Sequence, residues 1–575
     1  MALVHVFITF RGMQSAAGME QAQVAREIAR GHGLQTKVVR PYALARLNAS
    51  QKEAVPGQMP EITNSPLQPL LWAPVFKALE RHFPFEPTKN GGIYLMDRAI
   101  ACIGATYFLL TLLWTHGAAR RLFDDSVAGI AVATLILCEP LWKLSVSGSP
   151  VALLLPLVAL TMRFYAAAQI RLQEGLSAML PIIGIGLLAS LMLLTHWMAL
   201  WMVVGLVLAV VQGLPGYRRG ALWVAGLPFL TLILWCLWLA QQSGDVLGGT
   251  KTLFQAHLLA QEPNILQREF SIVTQPVYAD DLLRKLAWNL TNQLTELYAY
   301  LGHSVPALAF FAALMHRFRR PEVVRTMQSI GLVFLSTAVG MGFLGLPEKN
   351  LDDNALYIVL APAMTIGGSA MLAVLWARLQ ISAGYFWERF GFAVITLAIS
   401  AIPMIARLPG DLKMGLTMRN RIYPHWPPYV PSQVPVLARL IEPNEIIFTD
   451  APWFLAWYAD IPSAWIPVKR ADFTAMQEQF RKQNLTVAGF VVTPISAKMS
   501  YLQDAFTGPY SEWPDLIFRG PLLAFDKDFK PYPEFPYRVA MPLMATSIGA
   551  RESLSYQMTF YSDRVRSPKE NTVTQ

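Results

Sequence analysis

The sequence predicts a polytopic α-helical membrane protein of about eleven transmembrane helices with a small C-terminal α/β extramembrane domain. Composition is the first observation. Of 575 residues, 54% are hydrophobic and only 15% are charged, whereas a soluble domain averages about 25% charged. The second is the recurrence of apolar runs of roughly 17–25 residues, the length that crosses a hydrocarbon core of about 30 Å. Lipid offers the backbone no hydrogen-bond partners, so such runs must be helices. The third is charge placement. The net charge of +9 is not massed on one segment, as a nucleic-acid-binding face requires. It gathers at run ends, as in Arg120-Arg121, Arg218-Arg219 and Arg317 to Arg320, in the pattern that orients membrane helices.

The elements follow in order. Ala2–Phe10 is apolar but too short to span and reads as a shortened first helix or a truncated start. No basic n-region marks it as a signal peptide. A polar first loop, 11–92, holds two helices. Met19–Arg30 ends on the C-cap signals Gly31 and Gly33, and Leu67–Arg81 begins after Ser65-Pro66. Membrane helices are expected near 93–115, 126–141, 150–168, 178–195, 197–212, 221–240, 297–315, 327–346, 354–377 and 389–406. The apolar stretch from Leu180 to Val211 is too long for one helix, so two short or tilted helices should meet at Thr195-His196.

With Met1 cytoplasmic, the basic loops at Arg120, Arg171, Arg218 and Arg317 all fall inside. Segments 11–92, 139–149, 241–296 and 347–353 then share the outer face with the tail. The domains are therefore 1–406, in the membrane, and 407–575, extracytoplasmic. The tail opens with a Pro-rich connector, "YPHWPPYVPSQVP". Strands at Glu445–Asp450, Ala464–Val468 and Val487–Thr493 alternate with helices at Trp453–Ala459 and Ala471–Lys482, the order of a small α/β domain.

Glu20 is the acid that stands out. It lies near the start of an amphipathic helix whose apolar stripe is Ala22, Ala25 and Ile28-Ala29. A carboxylate there could take a proton from an acceptor hydroxyl or amine, or it could simply suit the helix dipole in a first turn. His196 is a polar group at a costly depth; its plainer role is to cap a helix end. Asp352-Asp353 most simply N-cap the helix after them. Glu139 reads as a cap or a partner for Lys143.

The order of these parts carries a resemblance: an acid on an outer helix followed by "GHGL", then "SPLQPLL" from Ser65, then "DDNALY" from Asp352 leading into "IVLAPAM", and "IIFTDAPWFLAWYADIPSAWIP" in the tail. The whole membrane region, and more loosely the tail, resembles the GT-C superfamily of membrane glycosyltransferases, in particular bacterial protein-mannosyltransferase-like and aminoarabinose-transferase-like members. The resemblance implies a bacterial inner-membrane enzyme of the cell envelope. It would use a polyprenyl-phosphate-linked sugar as donor and transfer the sugar to a glycan, lipid or protein acceptor on the extracytoplasmic side. It implies Glu20 as the base, where the family usually has Asp beside a second acid; here the neighbour is Gln21. Where the second outer loop often supplies another acid, this chain has Ser147 and Ser149. A divalent metal is thereby put in doubt, with only Glu20 and Glu139 as candidate ligands, because a hard cation needs several oxygens. Donor phosphate and sugar would fall to His196, Arg40, Lys37, Lys349, Asp352 and Asp353, with Lys251 and His303 further candidates by topology.

Other patterns carry less. "GDVLGGTKT" misses the phosphate-loop spacing by one residue, and "SVSGSP" lacks the glycines of a nucleophile elbow. Asn289-Leu290-Thr291 matches a glycosylation sequon by pattern alone. Cys102, Cys138 and Cys236 lie in apolar runs without a CxxC, which indicates packing residues. Trp114, Trp142 and Trp288 read as interfacial anchors. Two other classes stay open: a transporter or lipid flippase, though no repeated halves are visible, and a catalytically inactive GT-C relative acting as a scaffold.

Overall fold

The computed structural model describes residues 1–52, 54–81, 93–259, 265–272, 276–345, 356–379, 385–417, 434–497, 506, 508–526, 528–543 and 558–567. Six of its helices are long and apolar enough to cross a membrane: Leu95–Leu122, Val151–Gln173, Pro215–Ser243, Pro321–Leu344, Leu356–Arg378 and Phe390–Thr417. Asp125–Ile136 and Glu139–Val146 make a seventh if a pair bent by 63° is one span. Pro140 at the first turn of the second piece favours a fresh start there. Met179–Thr195, Trp197–Gly213 and Val305–Met315 are apolar but shorter. The expected eleven spans are thus not reached by length and composition among the described residues. Two short helices do meet at His196, as the long apolar stretch requires.

The first loop opens with α1 (Ala16–Ala29). Its N-cap is Ser15, whose Oγ accepts the Gly18 N–H at 3.1 Å. The helix therefore begins three residues before Met19, and Glu20 lies in its second turn. That removes the helix-dipole explanation, which acts within the first turn. Gly18 is obligatory for packing: a Cβ there would lie 2.8 Å from the Gly148 carbonyl oxygen. Gly31 and Gly33, at φ +89° and +82°, end the helix in the left-handed region. The chain then forms β1 (Gln35–Thr36) and β2 (Val38–Val39), α2 (Pro41–Ala49), β3 (Met59–Pro60) and α3 (Leu67–Glu80), the last packed on α1.

The tail builds β4 (Glu445–Thr449), β5 (Ser463–Trp465), α4 (Arg470–Lys482), β6 (Thr486–Val492), β7 (Val539–Leu543) and β8 (Met558–Ser562). Its three expected strands and its 471–482 helix are present. Between β4 and β5, Pro452–Phe454 is α-helical and Leu455–Ala459 is a π-turn. The six-stranded sheet has the order β2-β5-β4-β6-β8-β7. Strand β2, from the first loop, pairs in parallel with β5, Val38 opposite Ser463 and Val39 opposite Ala464. The 406/407 boundary falls inside the helix Tyr385–Thr417, and the Pro-rich connector lies largely outside the described residues.

One apolar cluster joins Met19, Ala22 and Ala25 of α1, Trp72 and Phe76 of α3 and Ile100 to Ile447, Phe454, Leu455 and Trp457 of the tail. The first loop and the tail therefore share a core. Trp142 is not an interfacial anchor. It is 1% exposed, stacked on His5 at 5.0 Å, and its Nε1–H donates to the Ile136 carbonyl. Asn289 of the apparent sequon is buried and donates to the Gly342 and Gly345 carbonyls.

Candidate active site

Glu20 and Arg40 come together, although 20 residues separate them. Gln23, one turn beyond Glu20, is fully buried and fixes the intervening chain: its Nε2 donates to Thr36 Oγ1 at 2.7 Å, and its Oε1 accepts the Lys37 N–H at 3.1 Å. Strand β2 then runs straight into Arg40, whose position is held by pairing with β5 on one side and by Pro41 opening α2 on the other.

Arg40 Nη2 donates to Glu20 Oε2 at 2.5 Å, and its Nε donates to Gln267 Oε1 at 2.9 Å. Asn64 Nδ2 also donates to Glu20 Oε2, at 3.0 Å. Both hydrogen bonds of Glu20 thus fall on one oxygen, which leaves Oε1 free among the described residues. Burial raises the Glu20 pKa above its ordinary value, against the opposing pull of Arg40. A carboxylate oriented by two donors, with one free oxygen and heightened basicity, is suited to accept a proton.

Lys37 is placed elsewhere. Its Nζ lies 2.5 Å from Asp460 Oδ1 and 3.4 Å from Glu27 Oε1. Arg26 and Arg30 each reach Asp460 at 2.8 Å. Burial alone would raise the Asp460 pKa, but the charges of Arg26 and Lys37 more than reverse that and hold it at about 2. Asp460 takes φ +59° at the end of the π-turn. Arg26 also donates to the carbonyls of Ala456 and Trp457. This cluster clamps the tail to α1 and commits Lys37 to carboxylates of the chain.

His196 ends Met179–Thr195, and its Nδ1 accepts the Met198 N–H at 3.3 Å, the capping arrangement. Trp197 stands next to His257, whose Nδ1 pairs with the Leu344 carbonyl. Burial lowers the His257 pKa to about 4. Glu139 pairs with Lys143 at 2.6 Å and with Arg407 at 3.7 Å. Lys349, Asp352 and Asp353 lie outside the described residues.

Among the described residues the candidate donors do not assemble a divalent-cation site. The bound oxygen of Glu20 faces a guanidinium, Glu139 is ion-paired, and no three His, Cys, Asp or Glu side chains converge among the described residues. An apolar cavity among Val158, Met192, Met202, Ile330 and Leu360 shares no residue with the Glu20 cluster.

The sequence did not single out Glu61, Asn64 and Gln267. Asn64 opens the "NSPLQPLL" stretch that marks the next helix, but nothing in its spacing points at Glu20. A second missed group is Asp97, at the start of Leu95–Leu122 and 1% exposed. It accepts from Trp457 Nε1 at 2.8 Å and Tyr458 OH at 2.6 Å. An acid opening an apolar run was the available signal.

No family model matches the sequence, and no curated relative matches it. Solved structures do match. ArnT from Cupriavidus metallidurans bound to undecaprenyl phosphate aligns over 99% of this chain and 98% of that one, at 14% identity and a TM-score of 0.50. Apo ArnT aligns over 87% and 93%, at 15% identity and a TM-score of 0.48. Archaeal oligosaccharyltransferase AglB from Archaeoglobus fulgidus, in complex with an inhibitory peptide and a dolichol-phosphate, aligns over 86% and 68%, at 13% identity and a TM-score of 0.48. At such identity a likeness fixes the fold, and function must be argued from the site. End to end, the chain shares the fold of ArnT.

Proposed function

We propose that this chain is a membrane glycosyltransferase that moves a sugar from a polyprenyl-phosphate donor to an acceptor on the extracytoplasmic face of a bacterial inner membrane. The observation that carries the reading is Glu20, with Oε2 held by Arg40 and Asn64 and Oε1 free. The shared fold with ArnT supports it.

The chemistry runs as follows. Oε1 takes the proton of an acceptor hydroxyl or amine as that atom bonds to the anomeric carbon. The bond from the anomeric carbon to the phosphate oxygen breaks, and polyprenyl phosphate leaves with the electron pair. The charge growing on that phosphate requires a cation. Arg40 and Lys37 are both tied to carboxylates, and His196, whose Nδ1 accepts the Met198 N–H, can offer only an uncharged Nε2–H, which leaves Lys349 as the proposed phosphate-side cation. The acceptor and the sugar are not specified by these residues.

One observation favours a second reading. Glu20 is already paired with a guanidinium, and Gln21 stands where a second acid would complete the family's pair. On that reading the chain binds the lipid phosphate as a catalytically silent scaffold.

The test is mass spectrometry of lipid co-purifying with the full-length protein in mild detergent, before and after adding polyprenyl-phosphate-linked sugars. The expected result is lipid retention, with sugar lost in the wild type and at least about a hundredfold less turnover in Glu20→Gln. Retention without turnover in either protein keeps the donor class and points to a missing acceptor or to the silent scaffold. No retention of any polyprenyl phosphate selects transport.

A further inference from the structure

Arg40 stands between two carboxylates. Besides Glu20, its Nη1 lies 3.9 Å from Glu61 Oε2. Glu61 is 3% exposed, and that oxygen is buried without a hydrogen-bond partner among the described residues. Its other oxygen accepts the backbone N–H groups of Thr63 at 2.8 Å and Asn64 at 3.0 Å. Those two bonds fold the chain after β3 into a turn, and the turn delivers Asn64 Nδ2 to Glu20 Oε2. Glu61 thus touches both groups that orient Glu20: Asn64 through the backbone and Arg40 through charge.

We propose that Glu61 is a positioning residue for Glu20, orienting it through the Asn64 turn and sharing the Arg40 guanidinium so that Glu20 is not fully neutralised. This inference rests on the reading of Glu20 as the base. A guanidinium devoted to one carboxylate makes it a poor base, whereas one divided between two acids still orients it. The charged groups facing Glu20 are Arg40 and Glu61; Glu61 raises its pKa and Arg40 lowers it. Arg26 and Glu27, on the same helix, and Lys37, between β1 and β2, are directed to the Asp460 cluster instead. The arrangement supplies an acid pair bridged by a cation, built from the turn after β3 rather than from the residue beside Glu20.

Glu61→Gln is the discriminating variant. Its amide oxygen can still accept from Thr63 and Asn64, so the turn survives while the charge is lost. The removed anion no longer opposes ionisation of Glu20, so Glu20 titrates at lower pH. In the full-length protein, the Glu20 carboxylate band in infrared difference spectra is assigned by its loss in Glu20→Gln. Its titration midpoint is expected to move to lower pH in Glu61→Gln. The acid limb of the turnover profile should move with it, and the plateau should fall about three- to tenfold, a fraction of what a positioned base contributes. If Glu61→Gln does not elute as a monodisperse protein, Glu61→Asp carries the test. Drawn back by one methylene, its charge couples less to Arg40, and the midpoint moves the same way by less. An unmoved midpoint in the folded variant overturns the proposal and leaves Glu61 a turn former. Wild-type turnover in Glu20→Gln overturns the base reading instead, and the spectroscopic titration separates the two failures because it needs no turnover.

Discussion

Arg40 shows how much one side chain organises at the residue scale. It meets Glu20, Gln267 and Glu61 from three separate segments of the chain. Lysine keeps the charge but presents no planar fork, so it cannot hold three partners in fixed directions. Arg40→Lys should therefore lower turnover by at least about tenfold even where the protein folds normally. Arg40→Met removes the cation outright. The positive charge of Arg40 pulls the Glu20 pKa down against burial, so without it Glu20 holds its proton to higher pH. The base form is then lost earlier on acidification, and the acid limb of kcat/KM should move up, opposite in sign to Glu61→Gln. A pH–rate profile of the two variants side by side checks both directions. At this scale the sequence singled out Glu20 and Arg40 separately, and assigned Arg40 to the donor phosphate rather than to the acid it meets. It could not expose Asn64, Glu61 or Gln267, whose roles exist only once β2, the turn after β3 and the 266–268 turn converge.

Among elements, legibility follows length and periodicity. Leu67–Glu80 and Arg470–Lys482 lie within a residue of their expected spans because each carries a full amphipathic or apolar pattern and a clear start. Helix α1 begins earlier than read because its signal is the Ser15 hydroxyl, a cap that outweighs the Gly18 behind it. Strand β2 has two residues, too few to show any period, yet it completes the sheet of a distant segment. The helix at 453–459 is legible, but the π geometry of 455–459 is not, since it is enforced from outside. Asp97 accepts from its Trp457 and Tyr458, and Arg26 grips its carbonyls. Asp97→Ala would strand two buried donors at about 1–3 kcal/mol each. We expect a loss of roughly 2–6 kcal/mol, read as a lowered thermal transition in detergent. Asp97→Asn keeps an acceptor for one donor and should lose about half as much.

For the whole molecule, the question is whether the tail is a tethered module or part of the membrane domain's own structure. Its contacts argue for the second. Ser463 N–H donates to the Lys37 carbonyl in the β2–β5 pairing. Asp460 takes Arg26, Arg30 and Lys37 at once, and Phe454, Leu455 and Trp457 are wholly buried in the cluster shared with α1 and α3. Those three side chains contribute about 1.5–3 kcal/mol each, and hydrogen bonds to charged groups about 1.5–3 kcal/mol each. Together they offset the roughly 4–15 kcal/mol that association of separate bodies costs. The covalent link between Thr417 and Val434 is then dispensable for attachment. A protease site placed there and cut after folding should leave the tail co-eluting with the membrane portion on size exclusion, with turnover kept to within about twofold. Asp460→Ala combined with Trp457→Ala should release the cut tail, because the ion cluster and the largest buried anchor go together. A cut tail that separates from the otherwise unaltered protein would make it a tethered module, and the placement of Arg40 would then have to be held by Gln23 and Gln267 without the sheet.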